Sequence, residues 1–231
     1  MTPIVMIPGL LCSAELYAPQ IAALWPFGPI TVASTLSGRS MSEIATNILN
    51  AAPPRFVLMG LSMGGYLALE IMRLAPERVI RLALLDTSAR PDTPDQSALR
   101  LELLAQAKSG KFEELLGQVM TSLVHPAHRD NQGLREINVR MGLTVGLKGM
   151  EQQTEAIIGR IDSRPHLANI GVSTLVLVGD SDPLTPLVMS EEIAAAIPNS
   201  RLVVIQKCGH ASTLEQPDAV NRALIAWLQS A

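Results

Sequence analysis

Residues 56–65 read Phe-Val-Leu-Met-Gly-Leu-Ser-Met-Gly-Gly, an apolar run that stops on Gly60-Leu61-Ser62-Met63-Gly64. A Gly-x-Ser-x-Gly turn between a strand and a helix is the pattern of a nucleophile elbow, which lifts a serine hydroxyl clear of the sheet. Side chains two before and two after the serine would strike neighbouring backbone, so both positions must be small, and Gly60 and Gly64 satisfy this. The blander reading is a Gly/Ser turn with Ser62 as a helix cap.

A serine hydroxyl is a poor nucleophile without a base, and the base needs an acid to orient it. Of four histidines, His125, His128 and His166 lie in or beside a helical stretch, whereas His210 follows the strand-like run Arg201–Ile205 through a short loop. His210 is the best-placed base. Three acids are available: Asp180 and Asp182 in Gly179-Asp180-Ser181-Asp182-Pro183, and Asp86 at the end of Val79–Leu85. Asp182-Pro183-Leu184-Thr185-Pro186 reads as a stiff turn suited to fixing one carboxylate, so Asp182 is preferred. Asp180 then supports its loop through backbone N–H groups, and spacing does not exclude Asp86. A tetrahedral intermediate needs N–H donors for its oxyanion. One is Met63, at the start of a helix whose dipole helps. The other comes from the loop Pro8-Gly9-Leu10-Leu11, with Leu10 favoured over Leu11 and Gly9 allowing close approach.

These residues need a scaffold. Short runs, apolar throughout, occur at Ile4–Ile7, Ile30–Ala33, Arg55–Met59, Val79–Leu85, Thr174–Val178 and Arg201–Ile205. Such runs fit parallel strands buried on both faces. Helical patterns fall between them at Ala14–Leu24, Met41–Ala51, Met63–Ala75 and Val188–Ile197, and Pro217–Gln229 closes the series. The alternation predicts an α/β fold: a mostly parallel, doubly wound sheet of about six strands with right-handed crossovers. Ligands then sit beyond the carboxyl ends of the strands. Residues 90–165 break the rhythm, with helical patterns at Asp95–Ala107, Phe112–Val124, Leu134–Leu143 and Leu147–Ile161. They predict a helical cap inserted into a core made of residues 1–89 and 166–231.

The 231 residues are 48% hydrophobic and 17% charged, enough for a sizeable core and unlike a disordered chain. A net charge of −3 with scattered Lys and Arg favours neither nucleic acid nor an anionic membrane surface. No apolar run reaches about 18 residues, and no secretory leader pattern opens the chain, so a cytoplasmic protein is expected. Cys12 and Cys208 form neither a disulfide framework nor a metal pattern. Neither a metal nor a cofactor is expected, and the chain is expected to be a monomer or a homodimer.

Taken together, these features resemble the α/β-hydrolase superfamily over nearly the whole chain. Its signatures fall in order: Ile7-Pro8-Gly9, Gly60-Leu61-Ser62-Met63-Gly64, Gly179-Asp180-Ser181-Asp182 and Gly209-His210. The order Ser62, Asp182, His210 matches the family's Ser…Asp…His. The resemblance supports Asp182 over Asp180, because the family's acid usually stands three residues after the glycine, and it implies a helical cap at 90–165. The chain departs from it in having Pro8-Gly9 for the usual His-Gly, and in starting at the oxyanion strand without the family's first antiparallel pair. It implies a serine hydrolase of small carboxylic esters acting through an acyl-enzyme. A thioester, an enol-lactone, a carbon–carbon bond beside a ketone, perhydrolysis and acyl transfer would all use the same machinery. A non-catalytic binding protein is the reading from another class. Met120, Met141, Leu143, Met150 and Ile157 are candidates for an acyl pocket, although periodic apolar residues more often form plain core. Cys12 and Cys208 are expected near the mouth of the site, open to bulky thiol reagents, with two inert buried thiols as the equal alternative.

Overall fold

The computed structural model describes residues 1–230 and, of Met120, the backbone alone. Six strands, β1 (Ile4–Ile7), β2 (Ile30–Val32), β3 (Phe56–Leu61), β4 (Val79–Leu85), β5 (Thr174–Gly179) and β6 (Ser200–Ile205), form one sheet. Every pairing is parallel, in the order β2-β1-β3-β4-β5-β6. Alternate side chains leave opposite faces of a strand, and here both faces are apolar. Val5, Ile7, Phe56 and Leu58 pack on one side, while Ile4, Met6, Val57 and Met59 pack on the other. Helices α2 (Met41–Ala51), α3 (Met63–Leu74) and α7 (Leu187–Ala196) cover the first face. Helices α1 (Ala18–Leu24) and α9 (Pro217–Gln229) cover the second, and a single turn, α8 (Ser212–Glu215), precedes α9.

The expected helix over Ala14–Leu24 is two pieces, a 3₁₀ turn at Ala14–Tyr17 and then α1. Pro19 has no N–H to bond the carbonyl of Glu15, so an unbroken α-helix through this point would lose a rung.

Strand order reverses between β1 and β3, since β2 lies on one side of β1 and β3 on the other. A crevice opens at the carboxyl ends where an α/β sheet reverses direction. The loop after β1 and the turn after β3, carrying Leu10 and Ser62, therefore meet there.

Between β4 and β5 lie α4 (Pro94–Gln106), α5 (Phe112–Leu123) and α6 (Gln132–Ile158). Thr93 and Gln96 cap the start of α4 reciprocally. α6 is one run broken at Gly146, whose φ of 71° and ψ of 170° leave the helix, so the two expected helices correspond to its two halves. The insertion has its own core of Leu104, Ala107, Leu115, Leu116 and Met150, and Leu11 from the loop after β1 is part of it. The helices thus rest directly on that loop. Among the described residues no helix is long and apolar enough to cross a membrane.

The neck of the insertion is clasped by ions. Asp92, with its side chain 1% exposed, accepts from Arg100 Nε at 2.7 Å and from Arg160 Nη1 at 2.7 Å. Arg160 also donates to the Arg90 carbonyl at 3.1 Å and lies over the Tyr66 ring, 4.3 Å from its centroid. Removing one partner of a buried ion pair typically destabilises by about 3–5 kcal/mol, because the other charge is left uncompensated. Asp92→Ala should therefore lower the melting temperature and expose residues 90–165 to limited proteolysis. Wild-type protease resistance in that variant would refute the clasp.

Candidate active site

Ser62 joins β3 to α3 at φ 55° and ψ −116°, a conformation that side-chain-bearing residues rarely adopt. Such strain persists only where the surroundings over-determine it. The Ser62 N–H donates to the Leu85 carbonyl at 3.0 Å, and its carbonyl accepts from Thr87 Oγ1 at 2.8 Å. A Cβ on Gly60 would fall 2.1 Å from the Gly64 carbonyl oxygen, and one on Gly64 would fall 1.9 Å from that of Ile7. These contacts are the close approach read from the Gly60 and Gly64 spacing.

The loop after β1 lies against this turn, since a Cβ on Gly9 would stand 3.4 Å from Ser62 Cβ. Its two candidate donors differ. The Leu11 N–H is taken up by Gln153 Oε1 at 3.0 Å. Among the described residues no protein acceptor lies on the Leu10 N–H. Met63 is the first residue of α3, where an N–H has no partner within its helix. Leu10, in the loop that lies against Ser62, and Met63, the residue after it, thus both keep an N–H free of any protein acceptor among the described residues.

His210 follows β6 and is buried at 5% exposure. Its N–H donates to the Leu123 carbonyl at the end of α5 at 2.8 Å. Its Nδ1 bonds Asp182 Oδ2 at 2.8 Å, which makes Nδ1 the protonated nitrogen and leaves Nε2 the acceptor. Asp182 is saturated: Oδ1 accepts from the N–H groups of Leu184 at 2.8 Å and Thr185 at 3.0 Å, and Oδ2 also accepts from Thr185 Oγ1 at 2.6 Å. Burial opposes its charge, but His210 and these donors outweigh burial and hold the carboxyl below its ordinary range. For His210, burial likewise opposes the imidazolium, yet Asp182 raises it above the ordinary value. Among the described residues no hydrogen bond joins Ser62 Oγ to His210, a separation common where no substrate draws the pair together.

Asp86 does not reach the imidazole by a hydrogen bond. Fully buried at φ 43°, it accepts from the Gly179 N–H at 2.9 Å and from Ser212 Oγ, tying the end of β5 to the start of α8. Burial, then the charge of Asp182, pushes its carboxyl up to about 8. Asp180 accepts from the N–H groups of Lys207 at 2.9 Å and Cys208 at 3.1 Å, the expected loop-supporting role.

Two supporting residues escaped the sequence reading. Glu215 accepts from the N–H groups of Gly209, Ala211 and His125 and lies 2.9 Å from His128 Nδ1, bracing the His210 loop. Nothing in its sequence position signals this. Thr185 was visible as Asp-x-x-Thr, a side chain–backbone turn motif. The candidate pocket residues divide. Met150 packs with Leu11, whereas Met141 and Ile157 lie in the main cores, Leu143 is exposed, and the Met120 side chain is outside the described residues.

The expected thiol sensitivity does not fit this site. Cys208 is wholly buried, and burial pushes its thiol far up. Cys12 is part-buried, its Sγ 3.3 Å from the Leu10 carbonyl, and burial raises its thiol to about 12. Only the thiolate attacks electrophiles. Neither cysteine should therefore be consumed by a bulky maleimide at pH 7 before unfolding, as intact mass would report. Among the described residues no group of three or more His, Cys, Asp and Glu is placed to hold a metal.

A parallel sheet that presents a strained serine after a central strand, with a His–Asp pair on the loops of later strands, defines an α/β hydrolase. The chain belongs to the alpha/beta hydrolase family, whose profile matches residues 4–223. It is 28% identical over 247 residues to the pimeloyl-[acyl-carrier protein] methyl ester esterase of Pectobacterium carotovorum subsp. carotovorum (strain PC1), covering 99% of this chain and 95% of that one. A thermophilic esterase of Thermogutta terrifontis superposes with a TM-score of 0.87 at 27% identity, covering 99% of this chain and 90% of that chain. The enol-lactonase of Burkholderia xenovorans LB400 also superposes at 0.87, with 22% identity over 99% of this chain and 92% of that chain, a likeness of fold alone. The protein is thus an α/β hydrolase with esterases among its relatives.

Proposed function

We propose that the chain is a serine hydrolase that cleaves a small carboxylic ester through an acyl-enzyme. The observation that carries this reading is the strained Ser62 turn set beside the 2.8 Å His210–Asp182 pair. Ser62 Oγ attacks the acyl carbon while His210 Nε2 takes its proton, and the tetrahedral oxyanion is held by the N–H groups of Leu10 and Met63. The proton then passes from His210 to the leaving alkoxide. Water, deprotonated by the same imidazole, releases the acid and regenerates Ser62. Asp182 orients the imidazole and stabilises its charged form. Residues 90–165 act as the cap over a core of 1–89 and 166–231, which the packing of Leu11 and His210 against the insertion supports.

Incubation with a fluorophosphonate probe, followed by peptide mass mapping, should place the label on Ser62. No labelling, or labelling elsewhere, would sink the proposal and favour a binding protein on this fold. Nitrophenyl esters of increasing acyl length would then give the acyl preference. A flat, near-background profile in a labelled enzyme would redirect the search to thioester, enol-lactone or carbon–carbon substrates.

A further inference from the structure

We propose that Gln153 is a positioning residue of the oxyanion hole, supplied to the β1 loop by the helical insertion. The inference rests on the hydrolase reading above. Leu11 has φ 59°, the left-handed region that a leucine rarely occupies. Part of its restraint is local, a bond from the Cys12 N–H to the Gly9 carbonyl at 3.2 Å. The rest comes from 142 residues away. Gln153, wholly buried in the second half of α6, accepts the Leu11 N–H at 3.0 Å through Oε1. Its Nε2 donates to Thr35 Oγ1, 2.8 Å away, in the segment after β2. One amide from the insertion thereby ties together the loops beyond β1 and β2.

The consequence follows from peptide geometry. The Leu11 N–H and the Leu10 carbonyl belong to one rigid plane. Holding the N–H on Gln153 turns that carbonyl the other way, where Cys12 Sγ lies 3.3 Å from it. Without Gln153 the left-handed Leu11 can relax by rotating this plane. Rotation disturbs the adjoining Gly9–Leu10 peptide, whose N–H is the proposed donor, and can bring a carbonyl dipole toward the developing negative charge. The amide occupies Leu11 and so leaves Leu10 as the free donor.

Gln153→Met removes both bonds at nearly constant volume, and Gln153→Asn keeps an amide that is too short to reach. Losing an oxyanion donor outright lowers kcat by about 10²–10³-fold. An indirect loss should lower kcat for p-nitrophenyl acetate by about 10-fold or more, with KM within about twofold. Affinity for phenylboronic acid, which adds to the serine as a tetrahedral anion, should fall in parallel. Gln153→Glu, which restores an acceptor for the Leu11 N–H, should recover most of the rate. A merely structural residue would lower the melting temperature without this kcat-specific loss. Unchanged kcat in a folded Met or Asn variant would overturn the inference, as would a Glu variant no faster than the Met one. Should Gln153→Met fail to fold, Gln153→Asn decides. If wild type is not labelled at Ser62, the hydrolase reading fails first. If it is labelled and the Gln153 variants match it, this inference alone fails.

Discussion

Asp182→Asn should lower kcat for an ester substrate by about 10⁴-fold while the protein still folds and binds. The Oδ1 position faces two N–H donors, from Leu184 and Thr185, so the amide carbonyl must occupy it. The amide NH₂ is then forced toward Thr185 Oγ1 and His210 Nδ1. An NH₂ group presents hydrogens, so His210 accepts at Nδ1 and carries its proton on Nε2 instead. An imidazole protonated at Nε2 cannot take the proton of Ser62. The pH profile should move as well. As the proposed base His210 works only when neutral, and Asp182 holds it above the ordinary histidine range, so wild-type kcat/KM should fall as pH drops through that raised value. Without the carboxylate the imidazolium loses its main support, and the acid limb of the residual activity moves to lower pH. Asp86→Asn is the control. Asp86 bonds Gly179 and Ser212 rather than the imidazole, so its loss should lower kcat by less than about 10-fold. A large loss in Asp86→Asn with a mild one in Asp182→Asn would reassign the acid.

Gly64→Ala should leave little folded protein. Its Cβ would stand 1.9 Å from the Ile7 carbonyl oxygen and 2.7 Å from the carbonyl carbon, so β1 and α3 would have to separate. No side-chain rotation relieves a contact with backbone. Overpacking a core commonly costs about 1–3 kcal/mol, and a backbone collision at the sheet's centre belongs to the exceptional class above about 4 kcal/mol. That is comparable to the whole stability of many domains. Circular dichroism on heating should show a melting temperature far below wild type, or no cooperative transition. Gly171→Ala is the matched control, since nothing lies within 4 Å of its Cβ position, and it should stay within about 0.5 kcal/mol of wild type. Equal stability of Gly64→Ala and Gly171→Ala would refute the packing argument.

The strands and most helices were legible because their signals are local. Ile4–Ile7, Val79–Leu85, Met41–Ala51 and Pro217–Gln229 begin and end where hydrophobic periodicity and turn residues placed them. The elbow was legible for a related reason, since a turn at φ 55° with backbone on both sides demands small residues at fixed offsets. The order of Ser62, Asp182 and His210, the proposed nucleophile, acid and base, follows the chain because each stands in the loop beyond an apolar run.

The sequence by itself thus determined the α/β architecture, the position of Ser62 and the candidate loops around it. The choice among near-equivalent groups waited for the tertiary structure. Asp86 directly follows β4 and Asp182 stands in the loop after β5, and only packing places one against His210 and turns the other toward Gly179 and Ser212. Leu10 and Leu11 are chemically alike in sequence, and a glutamine 142 residues away occupies one of their N–H groups. Glu215, bonded to both His125 and Gly209, and Asp92, clasped by Arg100 and Arg160, carry no local mark of what they do. Local spacing encodes conformation and burial. A hydrogen bond's direction depends on where distant segments come to rest, and that is set only when the two faces of the sheet and the helices above it close together.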